Sequence, residues 1–129
     1  MKIVTRAMVA VLVLLASNTS LASGVNDGND LLRECNEAIR YSEQQSSEID
    51  KASAAHCLGI MSGIVTLNNI YIEVLKLEKE AMFCPPGGGI SSLQATRIVV
   101  KYLKEHPEDR HIGGVVLSTL ALNKAFPCK

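Results

Sequence analysis

The side chains of this chain that could do chemistry are three histidines, four cysteines and a scatter of carboxylates. The histidines fall at positions 56, 106 and 111. Glu105-His106 and His111 straddle Pro107, and a proline interrupts the regular helix face that acid–base or metal-binding partners would have to share. They read as solvated or capping side chains. Gly87-Gly88-Gly89 stands ahead of a helix start and could offer backbone N–H groups to an anion. Its spacing is that of neither standard phosphate loop, and the plain reading is a flexible loop pinned at Cys84. The charges between Glu73 and Glu80 read as a wet face. No catalytic residue, metal site or cofactor is expected, so the chain is read as a binding protein and not an enzyme.

The cysteines, Cys35, Cys57, Cys84 and Cys128, are better explained as bridges than as nucleophiles. None shows the C-x₂₋₄-C spacing of a zinc site. Their use depends on the compartment, which the start of the chain addresses. Met1 to Ala22 has the pattern of a secretory signal peptide: Lys2 and Arg6 in a positive region, an apolar Ala7–Ala16 about half the ~20 residues a membrane span needs, and Ser20-Leu21-Ala22 at the cleavage site. Cleavage after Ala22 leaves residues 23–129, a single domain of 107 residues with 11 basic and 13 acidic side chains. An even cysteine count in a small exported domain predicts two disulfides. No basic stripe points to nucleic acid. Leu21-Ala22-Ser23-Gly24 lacks the cysteine of a lipoprotein box, and Asn68, Asn69, Glu73 and Lys76 interrupt the apolar run Ile60–Leu77, so no membrane anchoring is expected.

Helices must position these groups. After a polar leader with cap candidates Asn29 and Asp30, residues Leu31, Leu32, Cys35, Ala38 and Ile39 mark one apolar helix face. Ser47 and Asp50 give a weak capping signal for a second helix, read from Lys51 to Met82 and apolar almost all round from Cys57 to Leu67, which predicts a long, central, buried element. Gly59 and Gly63 lie four apart on it. Each costs about 1 kcal/mol against alanine, which is explained if a neighbouring backbone packs close, either a helix of the same chain or a second copy. Cys84-Pro85-Pro86-Gly87-Gly88-Gly89 stops the helix. Ser91-x-x-Gln94 is a capping box with Ile90 as its staple, and Leu93, Thr96, Val99, Val100 and Leu103 form the third apolar face. His106-Pro107 ends that helix. A fourth carries Ile112, Val115, Val116, Leu120 and a second close-packing pair, Gly113-Gly114. The fold class is all-α, a compact four-to-five-helix domain with one long central helix and two disulfides.

Helix geometry then selects a pairing. If the first two helices form an antiparallel hairpin turning near Ser46, Cys35 and Cys57 lie eleven residues on either side of the turn, at equal height. That favours Cys35–Cys57 and leaves Cys84 with Cys128, tying the tail to the Pro-Gly loop.

The run Cys57-Leu58-Gly59-Ile60-Met61-Ser62-Gly63-Ile64, the segment Phe83-Cys84-Pro85, the stretch Tyr102-Leu103-x-x-His106-Pro107-Glu108 and the end Phe126-Pro127-Cys128 together resemble the Rap/Tai family of periplasmic immunity proteins. The resemblance runs from about Cys35 to Cys128. Ile60 departs from it, since an aromatic is usual there, as does the glycine-rich 87–89 loop. The resemblance implies a helical homodimer, located in the periplasm, whose partner is a peptidoglycan amidase effector of type VI secretion, and which acts by occluding the effector's active site. The candidate plug is the loop Pro85, Pro86, Gly87, Gly88, Gly89 and Ile90. A periplasmic acid-stress chaperone, which is also small, helical and disulfide-bonded, is the alternative.

Overall fold

Asp27 starts the first helix. Its backbone is extended, and its carboxylate accepts the N–H groups of Asn29 (2.8 Å) and Asp30 (3.0 Å), so the cap lies two residues ahead of the nearer candidate, Asn29. A computed structural model of the chain describes residues 26–44, 48–87 and 89–129. The expected signal peptide and cleavage site, the expected turn near Ser46, Ser47 and Gly88 lie outside the described residues. Helix α1 spans Gly28–Ser42. Helix α2 spans Lys51–Asn69 and is capped by Asp50, which accepts from Ala52 and Ser53, each at 3.1 Å. Helix α3 spans Ser92–Glu105. Ser91 Oγ accepts the Gln94 N–H at 3.1 Å, as the capping box predicts, and the helix ends at His106 before Pro107. A 3₁₀ turn, Pro107–Asp109, leads into α4, Gly114–Ala125.

The hairpin reading of α1 and α2 holds, and both expected bridges form, Cys35–Cys57 where the helix heights placed it and Cys84–Cys128 as the remaining pair. Cys35–Cys57 joins Cα atoms 5.2 Å apart and Cys84–Cys128 joins Cα atoms 4.9 Å apart. Glu34 and His56, the residues preceding the first pair, also meet, with Nδ1 and Oε2 2.7 Å apart. The core is aliphatic around Leu31, Met61, Leu103, Leu117 and Leu122, with Phe83 as its one large aromatic. Thr96 and Ser118 are buried with their hydroxyls donated to the carbonyls four residues earlier, Ser92 and Gly114 (2.8 Å each), so neither is left unpaired.

Three expectations need correction. The second helix does not run to Met82. Its regular ladder ends at Asn69, a π turn covers Ile70–Val74, and the chain reverses at Lys76 in a left-handed conformation (φ 57°). The charged residues beyond it favour helix by propensity, but residues 82–83 must return to Asn68, and that contact wins. Nor is α2 buried all round. Its core face is Ala54, Cys57, Met61, Ile64, Val65 and Asn68, whereas Gly59, Gly63 and Leu67 are exposed. Among the described residues, no atom outside the helix's own backbone lies within 4 Å of a Cβ built on Gly59 or Gly63, so none of them supplies the same-chain packing offered for that pair. By length and composition alone Lys51–Val74 could cross a membrane; here one face sits in the core and Cys57 is bonded to α1, while the other face is apolar and open. Finally, α4 buries Gly114, Leu117, Ala121 and Leu122 and exposes Val115, Val116 and Leu120. The helix is apolar on most sides, so periodicity could not choose its inner face.

Glycine does bring backbones together at the chain's two meeting ends. A Cβ on Gly114 would stand 3.0 Å from Asn26 O and from Leu31 Cβ. Gly113, its neighbour, pairs with Asp27 in an isolated antiparallel bridge. Gly28, which the sequence did not single out, is tighter still: its Cβ would meet Leu117 Cδ1 at 2.6 Å and Arg110 Cα at 3.0 Å. Gly28 N–H donates to the carbonyls of Arg110 (2.8 Å) and Ile112 (3.0 Å), and Gly114 N–H to that of Asn26 (2.8 Å). The start of α1 is thereby latched to the α3–α4 connection.

Candidate partner-binding surface

The segment that carries the Pro-Gly loop is held from below by one buried amide. Asn68, at 0% exposure, donates from Nδ2 to the Phe83 carbonyl (2.8 Å) and accepts at Oδ1 from the N–H groups of Met82 (2.9 Å) and Phe83 (3.2 Å). Asn123 of α4 donates to the Met82 carbonyl (2.7 Å), and the Phe83 ring fills the core. Cys84 N–H then donates to the Phe126 carbonyl (2.8 Å), and the Cys84–Cys128 bridge closes the same junction covalently. The last turn of chain and the loop are thus fastened at one point.

From that point the backbone turns outward. Pro85 is half-buried, while Pro86 and Gly87 are exposed; Gly87 (φ 47°) and Gly89 (φ 97°) adopt the left-handed region, where glycine has no Cβ penalty. Gly89 passes Asn69, whose Nδ2 would be 3.4 Å from a Cβ placed there, and Ile90 packs against the core edge. An open cleft of about 830 Å³ borders the loop, lined by Glu78, Lys79, Cys84, Pro86, Pro127, Cys128 and Lys129. Its charged residues, Glu78, Lys79 and Lys129, are mixed in sign, and most of its lining is apolar. The sequence missed Asn68, the residue that positions this loop. Its only signal was an amide on the apolar side of a helix.

The histidines do not converge. His106 stacks on Tyr102 (centroids 4.1 Å apart), with Nδ1 2.9 Å from the Tyr102 carbonyl and Nε2 3.3 Å from Lys124 Nζ. His111 Nδ1 lies 2.9 Å from the Glu108 carbonyl, and His56 pairs with Glu34 on the far hairpin. All four cysteines are in bridges, and among the described residues no three of His, Cys, Asp and Glu cluster to hold a metal ion. Among the described residues, the two groups whose ionisation is clearly perturbed are the helix caps. Backbone N–H donation from Asp30, then Asn29, holds the Asp27 carboxyl below the ordinary aspartate range, and donation from the Ser53 backbone and hydroxyl does the same for Asp50.

The described residues thus form a doubly bridged helical scaffold with the Pro-Gly loop beside an open cleft. The chain belongs to the family of Rap1a immunity proteins, whose pattern matches residues 27–128, from the α1 cap to the last cysteine. The resemblance read from the sequence is therefore correct, and the class is that of an immunity protein and not an enzyme. No curated protein and no solved structure matches the chain.

Proposed function

We propose that this protein is a periplasmic immunity protein that binds a peptidoglycan amidase delivered by type VI secretion and occludes its active site. Family membership across nearly the whole domain carries the reading. The geometry supports a steric mechanism, because tight binding favours a surface ordered before the partner arrives, and the segment that leads into the loop is fixed by the Asn68 bonds to residues 82–83 and by the bridge at Cys84. Pro86 and Gly87, exposed at its tip, would enter the effector's cleft. Export, with cleavage after Ala22, places the inhibitor where the cell wall is attacked.

The protein acts as a homodimer through the outer face of α2. Gly59 and Gly63 lie open on that face in line with Leu67, Ile70 and Val74, which are 49%, 39% and 69% exposed. A glycine pair costs helix stability with no return inside this chain, whereas a second copy could approach it closely. Light scattering of the purified protein checks this: a monomer at micromolar concentration, or a dimer that survives Gly63→Glu, sends the interface elsewhere.

The function is tested by lysis of cells expressing a periplasm-directed amidase encoded beside this chain, with and without the exported protein. Protection should saturate near one binding site per effector. Pro86→Trp should fold normally and bind roughly 5- to 150-fold more weakly, the about 1–3 kcal/mol of an overfilled contact. Failure to protect against the adjacent amidase refutes the immunity reading. Full potency of Pro86→Trp keeps it and moves the contact off the loop.

A further inference from the structure

The two disulfides differ in what surrounds them. Cys35 and Cys57 are both at 0% exposure between α1 and α2. Cys128 is exposed, Cys84 is half-buried, and both border the open cleft. Thiol–disulfide exchange needs a thiolate to reach a sulfur, so the same reagent meets one bridge in solvent and the other inside the core. The neighbouring contacts differ too. Up to Phe83 the chain is secured without the bridge, by the buried Phe83 ring, the three Asn68 bonds and Asn123. Beyond Cys84, the bridge joins the loop to the exposed end, Pro127–Lys129.

We propose that Cys84–Cys128 is a redox-addressable clamp on the partner-binding loop, opened by a dithiol reductant while Cys35–Cys57 stays closed. The inference rests on the assignment of loop 85–90 as the partner-facing element. A reductant thiolate attacks Cys128 Sγ, the more accessible sulfur. The S–S bond breaks, and Cys84 leaves as a thiolate and takes up a proton. The second thiol of the reductant then displaces Cys128 from the mixed disulfide. The reductant ends as a cyclic disulfide, having supplied two electrons and two protons, and the protein holds two thiols. Cys84 then keeps only its backbone bond to the Phe126 carbonyl, the residues that follow it sample more conformations, and binding must bear the cost of ordering them. The helices remain, because the buried bridge and the contacts below Phe83 are untouched.

The test uses the mature, oxidised protein. Graded dithiothreitol followed by alkylation and peptide mapping should label Cys84 and Cys128 at doses that leave Cys35 and Cys57 unlabelled. At that dose far-UV circular dichroism should be unchanged, and hydrogen exchange should quicken in 85–90 and 127–129 only. Amidase affinity should fall about tenfold or more, in line with an ordering cost of at least one kcal-scale step. A Cys84→Ser/Cys128→Ser variant should show the same weaker affinity and no further response to the selective dose. Simultaneous reduction of both bridges, loss of helicity at the selective dose, or equal amidase affinity before and after reduction overturns the clamp. If the oxidised protein binds no amidase, the functional reading fails on its own, and labelling with hydrogen exchange still decides whether the bridge is a selective clamp.

Discussion

Replacing Asn68 with leucine removes the amide that fastens the loop segment while keeping a branched side chain of the same reach. Three bonds go: Nδ2 to the Phe83 carbonyl, and the Met82 and Phe83 N–H groups to Oδ1. Phe83 is at 0% exposure, so its N–H and carbonyl lose their partner with no water to replace it. Each such orphan costs about 1–3 kcal/mol. Met82 is half-buried, and water can take over its N–H. The buried leucine returns part of the loss through apolar burial. The net expectation is a destabilisation of about 3 kcal/mol, a fall in melting temperature of roughly 12–24 °C for a domain of this size. Urea unfolding of the oxidised protein measures it, and exchange of the Phe83 amide locates it. Asn68→Asp is the companion variant. It keeps an oxygen to accept the Met82 and Phe83 N–H groups but cannot donate to the Phe83 carbonyl as a carboxylate, and it places a charge in a buried position, so it should be at least as damaging at neutral pH. A loss below about 1 kcal/mol for leucine, with Phe83 still protected, would refute the claim that this amide anchors the loop.

The glycines separate cleanly. Gly28→Ala should destabilise by about 1–2 kcal/mol, because its methyl group meets Leu117 and the Arg110 backbone, whereas Gly63→Ala should stabilise an isolated protomer by about 0.5–1 kcal/mol in thermal melts, its site being open. The caps predict an acid limb. With both carboxyls lowered in the folded state, their contribution is complete above the ordinary aspartate range, near pH 4, and is lost as pH falls through the lowered values. Asp27→Asn with Asp50→Asn should cap comparably and flatten that slope, and an unchanged slope in acid unfolding would count against it. Mass spectrometry of periplasmic extract should find Ser23 as the first residue, and a mature pool that retains Met1 would rule the cleavage out.

What could be read from the sequence follows from how local each determinant is. The α3 cap is written in four consecutive residues, Ser91 to Gln94, and appears where expected. The pairing of Cys35 with Cys57 needed only that two helices of equal rise fold back on each other. The end of α2 was not legible, because its cause, the return of residues 82–83 to Asn68, lies 14–15 residues downstream. The inner face of α4 was not legible either. Val115, Val116 and Leu120 are as apolar as Leu117 and Leu122, and only the packing of α1 and α3 decides between them. Gly28 announced itself faintly, as a glycine placed directly after the capping Asp27. The loop at 85–90 was visible from Pro85, Pro86 and the glycines, but its anchoring by Asn68 and Asn123 was not.

The latch between Asn26–Gly28 and Arg110–Gly114 also sets an order of events. A ribosome releases residues 26–28 early and residues 110–114 more than eighty residues later. The Gly28 N–H therefore has both of its carbonyl acceptors, Arg110 and Ile112, supplied by chain that does not yet exist, and Gly28 has no Leu117 to pack against. Contacts of such long sequence separation form slowly. The seating of the α1 start therefore closes last, after the α1–α2 hairpin, whose residues are all made before position 70, has had the chance to pack.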